Sequence, residues 1–500
     1  MRQLLIAGLA LAACAKTPNL PLRPDPTPPE GSTVETLTAR DGTQLFGRHW
    51  AADGDAKAAF VIMHGLKDHS ANYAALARQL TAAGYSVHAF DLRGHGRSAG
   101  KRVAPASWMD YVDDLDRFLT TVEQREPKKK VFLFGHSMGG AIATLTAERH
   151  EPKVAGLVLS APAVQIDAPP LLIAATVMSG ALSPKAPALN LANRDFSSDP
   201  AVVKALGADP LVSQPAGPAR TAAGLVAGMR EIWAHADRLT MPLLALHGTK
   251  DRLTAPSGSR ALVRAAGGTD RTLKIYDGFF HDLLHEPRGA EVATDILAWL
   301  DARVAGTAPA ASPAEIRSGA LAGDPRGWTQ AVQLGAGIAR AGDTTAFAGD
   351  LSVQLARPRP LGWHGALVAR LAGDGKQLAL RPLGLAARAG GAVAGLSGGV
   401  ALVTGTELAY SGGAWAELPL GPVHVGGLAE WTRLISASPG AGPLGGDLLY
   451  TALSLRLGRD RTYWPGARAG VGPYLGAGVA MTDAANAYVF TVGLQLYGAD

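Results

Sequence analysis

A serine flanked by glycines at the end of an apolar run restricts the fold of this chain more than any other feature. The run Val131-Phe-Leu-Phe134 leads into Gly135-x-Ser137-x-Gly139, and the segment from Ala141 to Glu148 has a helical composition. A short apolar run is typical of a buried strand, and the two glycines leave room for a sharp turn that exposes the Ser137 hydroxyl. The segment therefore predicts a strand, a tight turn and a helix, with Ser137 as a candidate nucleophile.

A serine hydroxyl is a weak nucleophile until a base removes its proton, and a carboxylate usually orients that base. Two later segments supply both groups. The apolar run Leu243-Leu-Ala-Leu246 precedes Asp251, and the run Leu273-Lys-Ile-Tyr276 precedes His281. Because polar groups that follow parallel strands collect at the carboxyl edge of a sheet, we expect Ser137, Asp251 and His281 to meet there.

A further apolar run, from Ala58 to Met63, ends in His64-Gly65-Leu66. If this run is a neighbouring strand, a backbone amide after it lies opposite the amide of Met138, the residue after the candidate nucleophile. Two amides directed at one point stabilise the negative charge of an acyl-transfer intermediate. We therefore expect an oxyanion hole at this position.

Five short motifs occur together in the first part of the chain. They are His64-Gly65 with His69 and Tyr73, Asp91-x-x-Gly94-His95-Gly96-x-Ser98, Gly135-His-Ser-Met-Gly139, His247-Gly248-x-x-Asp251 and His281-Asp-Leu-Leu-His-Glu286. In this combination the chain resembles the α/β-hydrolases of the monoacylglycerol lipase and lysophospholipase group, which are S33 serine aminopeptidase-like, over residues 32–305. The resemblance implies an α/β hydrolase fold with a mostly parallel sheet and helices on both faces. It also implies an ester of one fatty acyl chain as the substrate, and no metal or cofactor.

The resemblance also implies a role for each site residue. Ser137 is the nucleophile, His281 is the base, and Asp251 is the acid that orients the base. The backbone amides of Leu66 and Met138 form the oxyanion hole. Because the same triad can cleave esters and amides, a peptidase on this fold stays an alternative.

His285 is a second candidate for the base, since it lies four residues after His281. We prefer His281, which lies nearer the end of the preceding strand and matches the family motif. The two histidines also have the spacing of the zinc motif H-E-x-x-H. Asp282 replaces the general-base glutamate of that motif, and no third ligand follows at a fixed offset, so the sequence disfavours a zinc site.

Between Ser160 and Asp237 the alternation of strand-like runs stops. Apolar stretches interrupted by proline, such as Leu171 to Met178 and Leu225 to Trp233, follow instead. They predict an inserted helical cap at about residues 161–237. Its apolar side chains are candidates for lining an acyl-chain pocket. The alternative is that they only pack the cap against the core.

The N-terminus has the features of a secretory signal. Met1-Arg2 precedes an almost wholly apolar segment, Leu4 to Ala13, which is too short to span a bilayer as a helix. Cys14, the only cysteine, lies at the junction. Residues 1–13 therefore resemble a bacterial lipoprotein signal peptide with Cys14 as the lipidated residue; an ordinary signal peptide is the alternative. The proline-rich residues 14–31 are then expected to form a stiff tether.

The chain is longer than one hydrolase domain requires, and its composition changes near position 310. Of the 61 glycines, 26 precede this position and 35 follow it. Residues 306–325 are predicted to form a linker and residues 326–500 an all-β domain, because an alternation of period two recurs there. Phe347, Leu351 and Val353, for example, alternate with small or polar residues.

Roughly eight to ten such runs occur, each with one apolar face and one small or polar face. Strands of about ten residues with this pattern are typical of a small transmembrane β-barrel. A soluble β-sandwich with one face in the core is the alternative. The barrel-like fold is favoured because this domain, rich in glycine and alanine, offers few bulky residues for the two facing sheets of a sandwich.

The net charge of +5 over 500 residues is mild, and the absence of a basic stripe interleaved with aromatics argues against nucleic-acid binding. The sequence thus predicts a serine esterase for lipid-like single-chain acyl esters, attached to the bacterial cell envelope. A barrel with an even number of strands in the outer membrane returns both termini to the periplasm, where we expect the hydrolase domain. A membrane β-barrel protein with a degenerate hydrolase domain stays a further alternative.

Overall fold

The computed structural model describes residues 18–150, 154–166, 170–308, 314–315 and 329–499. Gaps in the last range lie at residues 342, 358–361, 373–374, 390–391, 404–406, 421–422, 435–446, 458–460, 465–466 and 482–485. Cys14, the predicted signal peptide and most of the predicted linker lie outside the described residues. The chain divides into two compact units, mainly residues up to 322 and residues from 323 onward.

A nine-stranded, mostly parallel sheet forms the centre of the first unit. The strands of this unit are β1 (Asn19–Leu20), β2 (Ser32–Thr38), β3 (Gln44–Trp50), β4 (Ala58–Met63), β5 (Tyr85–Phe90), β6 (Gly100–Lys101), β7 (Lys130–His136), β8 (Val154–Ser160), β9 (Pro187–Leu189), β10 (Gly217–Pro218), β11 (Leu243–Gly248), β12 (Arg271–Tyr276) and β13 (Ala314–Glu315). The order in the sheet is β13-β12-β11-β8-β7-β4-β5-β3-β2. The β2–β3 and β3–β5 pairs are antiparallel, and the other pairs are parallel. The carboxyl ends of β4, β7, β11 and β12 therefore lie at one edge.

Helices connect these strands. They are α1 (Ala74–Ala82), α2 (Met109–Arg125), α3 (Met138–His150), α4 (Pro170–Leu182), α5 (Pro200–Ala208), α6 (Ala219–His235), α7 (Pro256–Ala265) and α8 (Gly289–Val304). Within the described part of the chain, no helix combines the length and the apolar character needed to cross a membrane.

The central strands β4, β5 and β11 are buried along their whole length. On one face of the sheet, Phe60 of β4 and Phe134 of β7 belong to a core that also contains Leu80 of α1 and Ile296 of α8. Strands that are covered on both faces need continuous rather than alternating apolar residues. This burial explains the apolar runs of the sequence.

Between β8 and β11 the chain leaves the sheet and forms α4, α5, α6 and the antiparallel pair β9–β10. α5 begins where the side chain of Asp199 accepts a hydrogen bond from the Ala201 amide and Pro200 occupies the first turn; both features favour a helix start. α6 packs against α3. These elements lie within residues 161–237, for which the sequence predicts a cap.

The described part of the predicted tether is attached to the first unit. β1 pairs with β6. The Asp25 carboxylate binds Arg48 at 2.8 Å and Arg97 at 2.9 Å, and Arg48 and Asp25 are almost fully buried. The proline content predicts a stiff spacer, but these contacts hold the segment along the domain from residue 18 onward.

The second unit is one antiparallel sheet. Its strands are β14 (Thr329–Ala341), β15 (Thr344–Arg357), β16 (Gly362–Ala372), β17 (Gly375–Ala389), β18 (Ala392–Val403), β19 (Glu407–Leu420), β20 (Val423–Leu434), β21 (Asp447–Leu457), β22 (Arg461–Trp464), β23 (Ala467–Met481) and β24 (Asn486–Ala499). Successive strands pair from β14 to β21, β21 pairs with β23, β23 with β24, and β24 with β14. Ten strands thus form a closed ring, which is a barrel and not the two facing sheets of a sandwich. The predicted fold class is confirmed.

The barrel exposes apolar side chains and buries polar ones. Large apolar residues on the outer face include Phe347, Leu383, Leu396, Tyr410, Leu475 and Val492, which are 60–75% exposed. Polar residues inside the ring are 4% exposed or less; they include Asp350, Ser352, Arg370, Arg381 and Glu430. Arg370 on β16 and Arg381 on β17 both form ion pairs with Glu430 on β20, so charged contacts join strands that are not neighbours in the ring.

Candidate active site

Ser137 lies at the turn between β7 and α3. Its φ of +54° is in the left-handed region, which is uncommon for a residue other than glycine and marks a strained turn. Gly135 and Gly139 make the turn possible, because a Cβ on Gly135 would lie 2.6 Å from the Gly139 carbonyl oxygen. The Ser137 amide donates to the Ser160 carbonyl at 2.9 Å, which fixes the turn against β8.

The structure brings Ser137, His281 and Asp251 together. His281 Nε2 lies 2.8 Å from Ser137 Oγ, and His281 Nδ1 lies 2.8 Å from Asp251 Oδ2. Asp251 follows β11 and His281 follows β12 at the carboxyl edge of the sheet. Because a carboxylate only accepts hydrogen bonds, Nδ1 carries the proton that binds Asp251, and Nε2 accepts from the serine hydroxyl. This arrangement can transfer the serine proton to His281.

Asp251 stays ionised although its side chain is fully buried. Burial raises the pKa of this carboxyl, but electrostatic attraction to His281 and hydrogen bonds from His247 and His281 outweigh burial and hold the pKa well below its usual range. The amides of Leu253 and Thr254 donate to Asp251 Oδ1 at 2.8 and 3.0 Å. A buried anion with these donors can keep His281 in one tautomer and orientation.

Thr254 is a site residue that no sequence motif singles out. Its hydroxyl lies 2.8 Å from Asp251 Oδ2, and His247 Nε2 lies 3.1 Å from the same oxygen. The sequence signal is weak, because a threonine three residues after an aspartate is common in turns. His247 belongs to a quoted motif, but the motif does not reveal its contact with the carboxylate.

The loop after β4 lies directly against the candidate nucleophile. A Cβ on Gly65 would be 3.0 Å from the Ser137 Cβ, and the next residue, Leu66, is 6% exposed. Met138 is the first residue of α3, so its N–H has no acceptor within the helix. The two predicted oxyanion donors therefore flank Ser137, one on the adjoining loop and the other directly after it in the chain.

Asp68 organises this loop and is another residue that sequence motifs miss. Its carboxylate accepts from the Gly65 amide at 3.3 Å and from the Tyr73 hydroxyl at 2.7 Å. Burial raises the pKa of Asp68, but nearby histidines, His64 first, and the Tyr73 hydrogen bond lower it below its usual value. The only sequence signal for this role is the position of Asp68 between Lys67 and His69, in a motif rich in polar residues.

His285 lies away from the serine. Its Nδ1 binds the Asp282 carboxylate at 2.8 Å, and its Nε2 lies 3.1 Å from the Asn72 carbonyl. The Asp282 charge raises the pKa of His285 to about 9. Because His281 and His285 bind different partners, the spacing of the zinc motif does not bring them to a common point.

One group of possible metal ligands occurs among the described residues, on β3, on β5 and directly after α2. Ligand atoms of His49, His88 and Glu126 lie within 4.8 Å of one another. His88 Nε2 already binds Glu126 at 2.9 Å, and the His49 and His88 rings stack at 4.5 Å between centroids. Pairing and stacking account for this group without an ion.

Comparison with known proteins gives consistent matches to the first unit. The family model described as "Serine aminopeptidase, S33" matches residues 54–288. A monoacylglycerol lipase of Mycolicibacterium smegmatis is 38% identical over 264 residues, which are 52% of this chain and 93% of that protein. The human monoglyceride lipase is 34% identical over 282 residues, which are 55% of this chain and 93% of that protein.

A solved structure also matches this unit. The crystal structure of Paleococcus ferrophilus monoacylglycerol lipase is 31% identical, with a TM-score of 0.47, and the match covers 52% of this chain and 99% of that one. The residues that the family model matches, 54–288, include the elbow, the triad and the loop after β4.

Proposed function

Because the chain belongs to the monoacylglycerol lipase group of the α/β-hydrolases and is a carboxylic ester hydrolase, we propose that it cleaves single-chain acyl esters through an acyl-enzyme on Ser137. Two contacts of 2.8 Å support this mechanism most directly. One joins His281 Nε2 to Ser137 Oγ, and the other joins His281 Nδ1 to Asp251 Oδ2. The names of the relatives support a monoacylglycerol as the substrate. A lysophospholipid stays the second candidate because the sequence motifs resemble a group that also contains lysophospholipases.

The proposed reaction has two halves. In the first, Ser137 Oγ attacks the ester carbonyl carbon while His281 Nε2 takes the hydroxyl proton. The amides of Leu66 and Met138 stabilise the oxyanion. Collapse of the intermediate breaks the bond to the leaving alcohol, which receives the proton from His281. In the second half a water molecule repeats these steps on the acyl-enzyme and releases the fatty acid.

A fluorophosphonate probe and a substrate panel test this proposal. We expect the probe to label the purified wild-type chain and not Ser137→Ala. Loss of a triad nucleophile lowers turnover by about a millionfold, and circular dichroism should show that the variant is folded. Hydrolysis near the wild-type rate in a folded Ser137→Ala protein would refute the assignment.

The panel should contain a monoacylglycerol, lysophospholipids and short peptides with a free amino terminus. Peptides are included in the panel because the matching family model is named for an aminopeptidase. We expect ester cleavage. Cleavage of the peptides alone would replace the lipase proposal by a peptidase, and inactivity toward the probe and every substrate would favour a degenerate hydrolase domain.

We also propose that the second unit spans a membrane and that Cys14 carries a lipid. The polarity of the barrel supports the first part. Apolar side chains on the outer face are stable in hydrocarbon, and polar side chains are shielded from hydrocarbon in the interior. The N-terminal sequence supports the second part. The proposed location is the bacterial outer membrane, with the hydrolase unit in the periplasm and no nucleic-acid partner.

The test uses the full chain expressed in a bacterial host with an outer membrane. We expect it to stay in the membrane fraction after an alkaline wash and to show heat-modifiable gel mobility, as closed barrels do. Cys14→Ser should lose labelling by a fatty-acid precursor yet stay membrane-bound through the barrel. Full release of Cys14→Ser by the wash would show that the barrel does not span the membrane.

A further inference from the structure

One segment of the predicted cap contacts the loops that carry two of the catalytic groups. We name residues 191–198 the clamp segment. It follows β9, includes a short 3₁₀ turn at Asn193–Asp195 and leads into α5. Its first half contacts the loop after β4, and its second half contacts the loop after β12. The reaction described above gives this segment no role.

The first half of the clamp segment holds the residue that follows the proposed oxyanion donor Leu66. This residue, Lys67, has a φ of +57°, in the left-handed region, and is 8% exposed. Its Nζ donates to the Leu191 carbonyl at 3.0 Å and to Asn193 Oδ1 at 2.6 Å. A strained backbone conformation persists only where surrounding contacts hold it. These two hydrogen bonds therefore fix the turn directly after the Leu66 amide.

The second half of the clamp segment contacts the base. The Phe196 side chain is buried, and its ring is nearly perpendicular to the His281 ring, with 5.6 Å between the centroids. The Phe196 carbonyl accepts a hydrogen bond from the Asp282 amide at 2.7 Å. One residue of the cap thus restricts both the His281 ring and the backbone directly after it.

Glu286 joins the loop of the base to the end of the clamp segment. Its Oε1 accepts from the Ser198 amide at 2.8 Å and from the Phe280 amide at 3.3 Å. Glu286 is buried, and hydrogen bonds to a carboxylate are stronger than those between neutral groups. Because Phe280 directly precedes His281, the base is held through the residues on both sides of it in the chain.

We propose that the clamp segment positions both the oxyanion hole and the base, with Asn193 acting through Lys67 and with Phe196 acting on His281. This inference rests on the proposed esterase function. The two loops leave β4 and β12, which three other strands separate in the sheet, and the clamp segment contacts both loops within eight residues. A displacement of about 1 Å in such a group can lower turnover about 100-fold.

The first experiment tests the oxyanion hole. Lys67→Met removes the donor, Asn193→Leu removes one acceptor, and Lys204→Met is the control at an exposed lysine of α5. With a fluorogenic acyl ester we expect Lys67→Met to lower kcat about 10- to 100-fold with little change in KM, because a displaced amide weakens binding of the transition state only. Asn193→Leu should lose less, since the Leu191 carbonyl remains. The double variant should lose no more than Lys67→Met, because both changes act on one contact.

Two inhibitors with the same alkyl chain separate this role from a general effect on stability. A trifluoromethyl ketone adds to the Ser137 hydroxyl and forms an oxyanion, whereas the matching ether has no carbonyl and forms none. In Lys67→Met the Ki of the ketone should rise by about the factor by which kcat falls, and the Ki of the ether should not change. Lys204→Met should match the wild type with both compounds. Equal increases of both Ki values in Lys67→Met would overturn the assignment to the oxyanion hole.

The second experiment tests the base. Phe196→Ala should lower kcat about 10- to 100-fold through a looser His281 ring, and labelling by the fluorophosphonate probe should slow by a similar factor. Phe196→Leu should recover most of the rate, because leucine fills much of the space beside the imidazole. Circular dichroism and thermal unfolding show whether each variant is folded. Equal losses of kcat in the alanine and leucine variants would contradict a positioning role that depends on packing.

The remaining outcomes separate this inference from the proposed function. A kcat at the wild-type level in folded Lys67→Met and Phe196→Ala would overturn the inference, while the esterase function would stand. A rise in KM alone would also overturn it, since the clamp segment would then bind substrate instead of positioning catalytic groups. A wild-type chain that neither cleaves the ester nor reacts with the fluorophosphonate would refute the proposed function itself.

Discussion

The two units of this chain bury opposite kinds of side chain. In the first unit the strands at the centre of the sheet are apolar throughout, and Phe60, Phe132 and Phe134 are fully buried. In the second unit Arg381 is fully buried, whereas Leu380, the residue before it on the same strand, is 54% exposed. The first unit thus keeps its apolar side chains inside, whereas the barrel directs its apolar face outward. Which face of a unit is apolar therefore indicates the medium that surrounds it.

Two buried glutamates sharpen the comparison. Glu148 on α3 and Glu430 in the barrel are each 1% exposed. Both oxygens of Glu148 lack a hydrogen-bond partner among the described residues, whereas Glu430 binds Arg370 and Arg381. A buried charge requires a partner or must be neutralised. We therefore expect substitutions at the two positions to act in opposite directions.

The largest effect is expected at the triad, where the chemistry of the chain is concentrated. Asp251→Asn should lower kcat by about four orders of magnitude, because the amide favours the wrong tautomer of His281. His281→Ala should lose as much, and His285→Ala should stay near the wild type. Steady-state hydrolysis of a fluorogenic acyl ester measures all three. A larger loss in His285→Ala than in His281→Ala would move the base to His285.

The next largest effect is expected inside the barrel. Glu430→Ala removes the carboxylate that Arg370 and Arg381 share, and breaking a buried ion pair costs about 3–5 kcal/mol. Urea unfolding of the full chain in detergent, followed by the loss of heat-modifiable mobility, measures the change. The triple variant with Arg370→Met and Arg381→Met should recover most of the loss. Unchanged stability in Glu430→Ala would show that the interior is open to water.

Two equally exposed leucines, one in each unit, test whether the outer face of the barrel contacts lipid. Leu383 on β17 and Leu182 at the end of α4 are 75% and 74% exposed. Leu383→Arg should destabilise the chain in lipid vesicles by about 2–4 kcal/mol, as expected for arginine near the middle of a bilayer. Leu182→Arg should change stability by less than about 0.5 kcal/mol, as at an ordinary surface position. Equal and small effects would mean that both leucines face water.

The smallest effect is expected at Glu148 and depends on pH. Burial raises the pKa of this carboxyl to about 9, so the folded state keeps a proton that the unfolded state loses above its ordinary pKa near 4.5. The wild type therefore loses stability as pH rises from about 4.5 to 9. Glu148→Gln has no such loss, so its advantage over the wild type should grow with pH and reach up to about 3 kcal/mol near neutral pH, because each unit of pKa shift is worth about 1.4 kcal/mol.

Thermal unfolding at pH 4.5, 7 and 9 measures the Glu148→Gln difference. We expect it to be close to zero at the lowest pH and to grow with each step, while ester hydrolysis by the folded variant continues. A difference that is constant across this range would show that Glu148 does not stay protonated in the folded chain.

Much of the site could be predicted because its signals are local. Apolar runs report strands that are buried on both faces, and Ser137, Asp251 and His281 each follow such a run. The contacts that complete the site are not local. His285 lies 3.1 Å from the Asn72 carbonyl across 213 positions of sequence. The Asp68 carboxylate binds the Gly65 amide and the Tyr73 hydroxyl in a loop that has no periodic pattern.

The sequence alone determined the α/β fold of the first unit, the order of the triad and the all-β character of the second unit, because hydrophobic periodicity is set by which faces are buried. Only the tertiary structure decided the rest. Alternation of period two by itself fits both a sandwich and a barrel, and composition only favours the barrel. The pairing of β14 with β24 decides between them, because it joins strands at opposite ends of the domain. In the same way the choice between His281 and His285 and the partners of Glu430 depend on distances between remote segments, which are set by folding and not by any local pattern.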